Sequence, residues 1–223
     1  MILEKSKQPR LRDLPRNIQP NDTKIDFLRN FDKINYIYRS AMQEASTRLD
    51  ILDSEFVSIY DHSPIHHMES RIKSLDSLSE KMVRKGLELK LENVYKIQDI
   101  AGIRVVCNYV EDIYYLRGLL VGNNGFQLLR ENDYIRNPKP NGYRSLHLIV
   151  SVPFVTSVGK MELPVEIQLR TIAMDMWASL EHELRYKSGY HFSDEDSRTL
   201  LQCASALSEV DEKMQTLFKK TKM

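Results

Sequence analysis

Lys139-Pro140-Asn141-Gly142-Tyr143-Arg144-Ser145-Leu146-His147 begins as a turn and ends as a strand. Pro138, Pro140 and the Asn141-Gly142 pair break regular structure, and Asn-Gly tolerates positive φ. From Tyr143 to Val150 the residues alternate. Tyr143, Ser145 and His147 share one face, Leu146, Leu148 and Val150 the other, with Arg144 at the mouth of the strand. An aromatic ring, a hydroxyl and an imidazole on the free face of a core strand form a surface suited to a ligand. Alternation alone is equally the mark of an ordinary half-solvated strand.

Working outward, Ala101–Cys107 reads as a buried strand preceded by Asp99 and interrupted by Arg104. An arginine in such a run needs an anion, either a protein carboxylate or a ligand phosphate. In Met161–Arg170, Leu163, Val165, Ile167 and Leu169 point one way, and Glu162, Glu166, Gln168 and Arg170 the other. Helical spacing predicts a long helix from Asp22 or Thr23 to about Tyr60, a second from Ser63-Pro64 to Gly86, and a short one at Glu92–Gln98. Further helices are expected at Glu111–Val121, at 171–188 with Ile172, Met176, Trp177 and Leu180 inward, and from about Asp196 to Lys220. Phe126–Leu129 reads as a further strand and Gly122–Gly125 as a turn. The whole is an α/β (α+β) pattern, with a mixed β-sheet flanked by helices.

On the expected second helix, Lys73, Ser77, Lys81 and Arg84 fall on one face, with Arg71 at its border. Such a row suits a triphosphate, though a solvated cationic face is its commoner meaning. His62, His66 and His67 invite a metal reading, but Pro64 keeps His62 off the helix and structural zinc wants four ligands.

With 223 residues and a formal net charge of +1, the chain carries no broad basic surface, so a polyanion must be met locally. Residues 1–22, with five Lys and Arg and three Pro, read as a flexible basic arm, and 23–223 as one domain. Cys107 and Cys203 form no metal spacing and read as buried, reduced thiols. No apolar run reaches membrane-spanning length and no signal peptide is visible, so a cytoplasmic protein without membrane contact is expected.

Brought into one sheet, Asp99 and Glu166 would place two carboxylates beside Tyr143 and the cationic row. Two carboxylates plus substrate phosphates are the usual holder of Mg²⁺. Lys73, Lys81, Arg84 and Arg104 would neutralise phosphates, and Tyr143 would stack on a base. That is the equipment of phosphoryl transfer. No P-loop, kinase motif or Rossmann fingerprint is present.

The blocks Ser70-Arg71-Ile72-Lys73-Ser74, Asp99-Ile100-Ala101-Gly102-Ile103-Arg104, Gly142-Tyr143-Arg144-Ser145-Leu146-His147 and Val165-Glu166-Ile167-Gln168-Leu169-Arg170-Thr171, in that order, resemble the (p)ppGpp synthetase domain of the RelA/SpoT superfamily. With no hydrolase domain before it and no regulatory domain after it, the chain resembles a stand-alone small alarmone synthetase of the RelP-like branch. The resemblance implies a nucleotidyltransferase-related fold, a homotetramer, and transfer of the β,γ-pyrophosphate of ATP to the 3′-hydroxyl of GDP or GTP. It implies that Arg71 and Arg104 sandwich adenine, while Lys73, Ser77, Lys81 and Arg84 grip the ATP phosphates. It further implies that Asp99 and Glu166 hold Mg²⁺, with Glu166 as proton acceptor. Tyr143 would stack on guanine, with His147, Lys139 and Gln168 at the acceptor side. Imidazole with carboxylates also suits zinc, so Zn²⁺ is expected to inhibit through Asp99, His147 and Glu166. Two other readings stand beside this one. One is a pyrophosphotransferase of the same fold acting on adenine nucleotides or tRNA. The other is an RNA-binding module, against which the net charge of +1 weighs.

Overall fold

The computed structural model describes residues 23–122, 125–186 and 192–221. The expected arm at 1–22 lies outside them, as does part of the Gly122–Gly125 turn. Five strands, β1 (Ile65–Ile72), β2 (Ala101–Cys107), β3 (Gln127–Asp133), β4 (Leu146–Thr156) and β5 (Gly159–Thr171), form one sheet in the order β1-β2-β5-β4-β3. Only the central β2–β5 pair is parallel, so the sheet is mixed. Its helices are α1 (Thr23–Tyr60), α2 (Leu75–Arg84), α3 (Leu91–Val94), α4 (Val110–Val121), α5 (Ile172–Tyr186) and α6 (Asp194–Thr221).

The alternation read in β2, β4 and β5 sorts the sheet into two faces. Ile103, Val105, Leu148, Val150, Val165, Ile167 and Leu169 are buried on the apolar one. There they join Tyr38, Ala41, Ala45 and Leu49 of α1 and Ile113, Leu116 and Leu120 of α4 in one core. The apolar face of α1 is thus the sheet's lid, as burying such a face requires. The opposite face carries the polar members of the same strands. Cross-strand register lines them up as Arg71–Gly102–Glu166–Ile149 in one row and Glu69–Arg104–Gln168–His147–Asn132 in the next.

Three expectations change. The second helix does not begin at Ser63-Pro64: Ile65–Ile72 is edge strand β1, paired antiparallel with β2, and the helix starts at Leu75 after its cap Ser74. Ile65, Met68 and Ile72 fit a helical period over so short a window, but β2 needs a partner on that edge, and pairing overrides local periodicity. Second, β4 starts at Leu146, not Tyr143. Gly142 turns with φ +93°, and Tyr143–Ser145 lead in as irregular chain. Third, Ile172, Met176 and Leu180 of α5 are exposed, and it is Met174 and Trp177 that pack inward. On α6, Ala204 and Gln215 are buried, whereas Leu201, Val210, Met214 and Leu217 are exposed, as is Cys203, which was expected to be buried.

Candidate active site

The site lies on the polar face, where the carboxyl end of β5, the start of β4, the approach to β2 and the start of α2 meet. Asp99 stands two residues before β2. Lys81 of α2 donates to its Oδ2, and Lys73 Nζ lies 3.5 Å from the same oxygen. The β1–α2 junction is fixed by a bond from Lys73 N to Ile100 O of 2.8 Å, so the sheet itself places this lysine over Asp99. Ser77 accompanies Lys81 on α2, and Arg84 is exposed at the helix's last turn. The cationic row therefore exists, but Lys73 reaches it from the strand–helix junction and not from a helix.

Burial pushes the carboxyl pKa of Asp99 up, and the hydrogen bond from Lys81 with the charges of Lys73 and Lys81 more than offsets it, leaving the carboxyl below its ordinary range. Its Oδ1 is buried and has no partner. An orphaned carboxylate oxygen is costly to bury. Its presence beside two lysines marks a place where a ligand completes the coordination.

Glu166, one row along on β5, accepts from Gln168 Nε2 at 2.8 Å and lies 3.3 Å from His147 Nδ1. Burial raises its carboxyl, the His147 and Gln168 contacts outweigh that, and Asp99 pushes weakly upward, so the net shift is down. Both carboxylates are therefore anionic at neutral pH, and the charge of Asp99 reaches Glu166. Among the described residues no three His, Cys, Asp or Glu side chains gather to hold a metal unaided. Two carboxylates with open valences instead fit a magnesium ion that brings substrate phosphates as its remaining ligands.

Tyr143 and His147 meet as expected, though not through strand alternation. Tyr143 Oη is 2.8 Å from His147 Nε2. Lys139 Nζ lies over both the Tyr143 ring (4.8 Å) and the Tyr134 ring (4.7 Å), and Tyr134 meets the imidazole edge-on at 5.3 Å. Tyr134 was not among the residues singled out in the sequence, because nothing local distinguishes a loop tyrosine that packs on a neighbouring strand. Ser145 departs from its expected place: it is fully buried and donates to Leu169 O, so it fastens β4 to β5 and faces no ligand.

Arg104 finds its anions within the protein: Nη1 donates to Glu69 at 3.1 Å, and Nε lies 3.4 Å from Asp175. Arg71, diagonal to it across the β1–β2 pair on the same face, is exposed. The two arginines thus flank one strip of sheet, beside Asp99 and its lysines. The histidine cluster is spoken for. His62 bonds Asp112 at 2.9 Å, and His66 and His67 face each other through Nδ1 atoms 2.8 Å apart.

The geometry brings Lys73, Lys81, Asp99, Glu166, His147, Tyr143, Lys139 and Gln168 into a continuous surface, with Arg71 and Arg104 at one margin. Residues 70–191 match the family described as "Region found in RelA / SpoT proteins". The chain is 40% identical over 180 residues to GTP pyrophosphokinase YwaC of Bacillus subtilis, spanning 80% of this chain and 85% of that one. It is 37% identical over 177 residues to GTP pyrophosphokinase YjbM of the same organism, spanning 79% and 83%. Among solved structures, small alarmone synthetase 2 from Bacillus subtilis superposes with a TM-score of 0.77 at 36% identity, covering 86% of this chain and 99% of that one. Small alarmone synthetase 1 from the same organism, bound to its product pppGpp, gives 0.78 at 34% identity and covers 87% and 99%. A family match over more than half of the chain, with relatives of this identity and coverage, means that the chain belongs to the RelA/SpoT family, among its small alarmone synthetases.

Proposed function

We propose that the chain is a GTP pyrophosphokinase that moves the β,γ-pyrophosphate of ATP onto the 3′-hydroxyl of GDP or GTP, yielding AMP and ppGpp or pppGpp. The observation that carries this is the pairing of two anionic carboxylates, Asp99 and Glu166, with a lysine pair on one side and a tyrosine–histidine pair on the other. In this reading the acceptor 3′-oxygen attacks the β-phosphorus, the bond from that phosphorus to the α–β bridging oxygen breaks, and AMP leaves. Glu166 takes the hydroxyl proton. Lys73, Ser77, Lys81 and Arg84 take the triphosphate, Arg71 and Arg104 the adenine, and Tyr143, His147, Lys139 and Gln168 the acceptor. Asp99 and Glu166 would hold Mg²⁺, which supplies charge neutralisation at the transferring phosphates. The remaining work is positioning, as phosphoryl transfer demands.

Labelled ATP offered with GMP, GDP, GTP, adenine nucleotides and tRNA in turn checks the assignment. Label should pass to GDP or GTP with stoichiometric AMP, and transfer only to an adenine nucleotide or tRNA would overturn it. Exposed Met176, Leu180 and Leu184, four residues apart on α5, support a homotetramer of the RelP-like kind, since such a stripe favours burial against another copy.

For acceptor binding, the base would take the Tyr143 face that Lys139 now covers, freeing that ammonium for the acceptor phosphates. Tyr143→Ala is expected to weaken acceptor binding by roughly 1–3 kcal/mol, the range of an aromatic–base stack, with ATP binding unchanged. An unaltered acceptor KM would rule the stack out.

Zinc inhibition through Asp99, His147 and Glu166 would use Oδ1 of Asp99, since Lys81 is bonded to Oδ2. Micromolar-range zinc titration at fixed Mg²⁺ should show inhibition that His147→Ala relieves. Equal inhibition of both forms would exclude the imidazole as a ligand.

A further inference from the structure

Arg170 has no role in the reaction described so far, yet it sits at the root of the polar face. Its side chain is 7% exposed. Nη1 donates to Asp175 Oδ1 at 3.0 Å, and Nη2 donates to Tyr143 Oη at 2.7 Å and to Gln168 Oε1 at 3.1 Å. A guanidinium has donors and no acceptor, and that one-way chemistry propagates through the site. Because Tyr143 Oη accepts from Arg170, its own proton is left to give, and His147 Nε2 is 2.8 Å away. Nε2 is then on the accepting side of that pair, and a ring proton on Nδ1 would face Glu166 Oε1 at 3.3 Å. Gln168 is ordered the same way. Its oxygen accepts from Arg170, so its amide nitrogen turns to Glu166 Oε2 at 2.8 Å. Two donor chains start on one guanidinium and end on the two oxygens of one carboxylate.

We propose that Arg170 is a positioning residue that sets the direction of the hydrogen bonds converging on Glu166, holding His147 as its Nδ1–H tautomer and Gln168 with its amide toward the carboxylate. Asp175 fixes the rotation of the guanidinium from behind and shares the same oxygen with Arg104 Nε, so Arg170 has one direction in which to point. Without Arg170 the imidazole proton and the glutamine amide are each free to reverse, since both ends of either group fit the same space. Reversal sets a lone pair against Glu166 and leaves the carboxylate unheld. The Tyr143 hydroxyl is a link in this order, so Tyr143→Phe, which keeps the ring for stacking, still lowers the rate.

The effect on catalysis rests on Glu166 being the reacting carboxylate; the hydrogen-bond order does not. The test uses the full-length, nucleotide-free protein with ¹⁵N-labelled histidine at pH 8, and the His147 signals are assigned by their loss in His147→Gln. Wild type should show the Nδ1–H tautomer. Arg170→Met should mix in the Nε2–H form and lower kcat by about tenfold or more, with the KM for ATP unchanged. Arg170→Lys, which keeps donors, should restore the tautomer and most of the rate. An Nε2–H or doubly protonated His147 in wild type, or an unchanged tautomer in Arg170→Met, overturns the proposal. Should Arg170→Met not fold, Tyr143→Phe cuts the same chain, and an unchanged tautomer there overturns it equally. An Nδ1–H tautomer that responds as described, in a protein that transfers no pyrophosphate to guanine nucleotides, would count against the proposed reaction and leave the role of Arg170 standing.

Discussion

Asp99→Asn and Glu166→Gln are each expected to lower pyrophosphate transfer by at least about 100-fold, roughly 3 kcal/mol of transition-state stabilisation, while the fold survives. The two substitutions are nearly isosteric. Glutamine at 166 still offers an oxygen to a donor, and Lys73 and Lys81 are solvated enough to tolerate losing a counterion, with side chains 16% and 21% exposed. What each change removes is one negative charge from a site where two anionic groups converge under cations. An amide oxygen cannot replace that charge toward magnesium, and at Glu166 it cannot accept the hydroxyl proton. Initial rates at saturating ATP and acceptor, with circular dichroism and thermal unfolding as the control for structure, decide the matter. Near-normal turnover in either folded variant would remove that residue from the metal and proton roles.

The parts of this site that were legible in the sequence are those carried by strands whose alternation is uninterrupted. Glu166 and Gln168 were assigned to the polar face of β5 because Leu163, Val165, Ile167 and Leu169 mark the other face without a break, and burial confirms it. Asp99 and Arg104 stood out for another reason: one precedes and the other interrupts the apolar run that forms β2. Ile65–Ile72 misled because an edge strand half exposed to solvent carries few apolar residues, and those at 65, 68 and 72 mimic a helical step. Ser145 misled because alternation was extended backward through Tyr143, across chain that Gly142 and Asn141 hold in a turn. Tyr143 and His147 do meet, but by a bend that brings a side chain from before the strand back over it, and no period describes a bend. Arg170 was visible as a polar-face residue, but its importance depends on partners 27 and 5 residues away, Tyr143 and Asp175, which only the folded register brings together.

Much of what places Tyr143 comes from α5 and α6. Asn141 Nδ2 donates to Glu181 of α5 at 3.2 Å, and its Oδ1 accepts from Tyr143 N. Arg144 donates to Ser208 of α6 and to Ile135 O. Trp177 Nε1 donates to Leu200 O, and Thr171 Oγ1 to Asp211, which bind α6 to α5 and to the end of β5. The helix α6 lies beyond the segment 70–191 shared across the family. In this chain it serves as a wall beside the turn that precedes Tyr143, and a side chain at Gly142 would run into Ala204 and Leu201 of that helix.

Gly142→Ala should therefore damage acceptor use far more than so small a change suggests. Glycine is needed there twice over. Its φ of +93° is a conformation that side-chain-bearing residues rarely adopt, at a cost of about 1–2 kcal/mol. A Cβ at this position would also sit 2.6 Å from Ala204 Cβ and 3.3 Å from Leu201 Cδ1. Overpacking of that kind adds roughly 1–3 kcal/mol. The methyl of Ala204 is the rigid part of a helix and cannot swing aside, so the turn must give way, and Tyr143 is the next residue. The expected result is a rise in acceptor KM of at least about tenfold and a lowered melting temperature, with the KM for ATP near that of wild type, because Lys73, Lys81 and Asp99 lie on other elements. Ala204→Gly placed in the Gly142→Ala background removes the clash and leaves the dihedral strain. It should recover part of the acceptor KM, and the double-mutant cycle separates the two causes. A Gly142→Ala variant with unaltered acceptor KM would mean that the turn adjusts without moving Tyr143, and that α6 does not set the position of the ring.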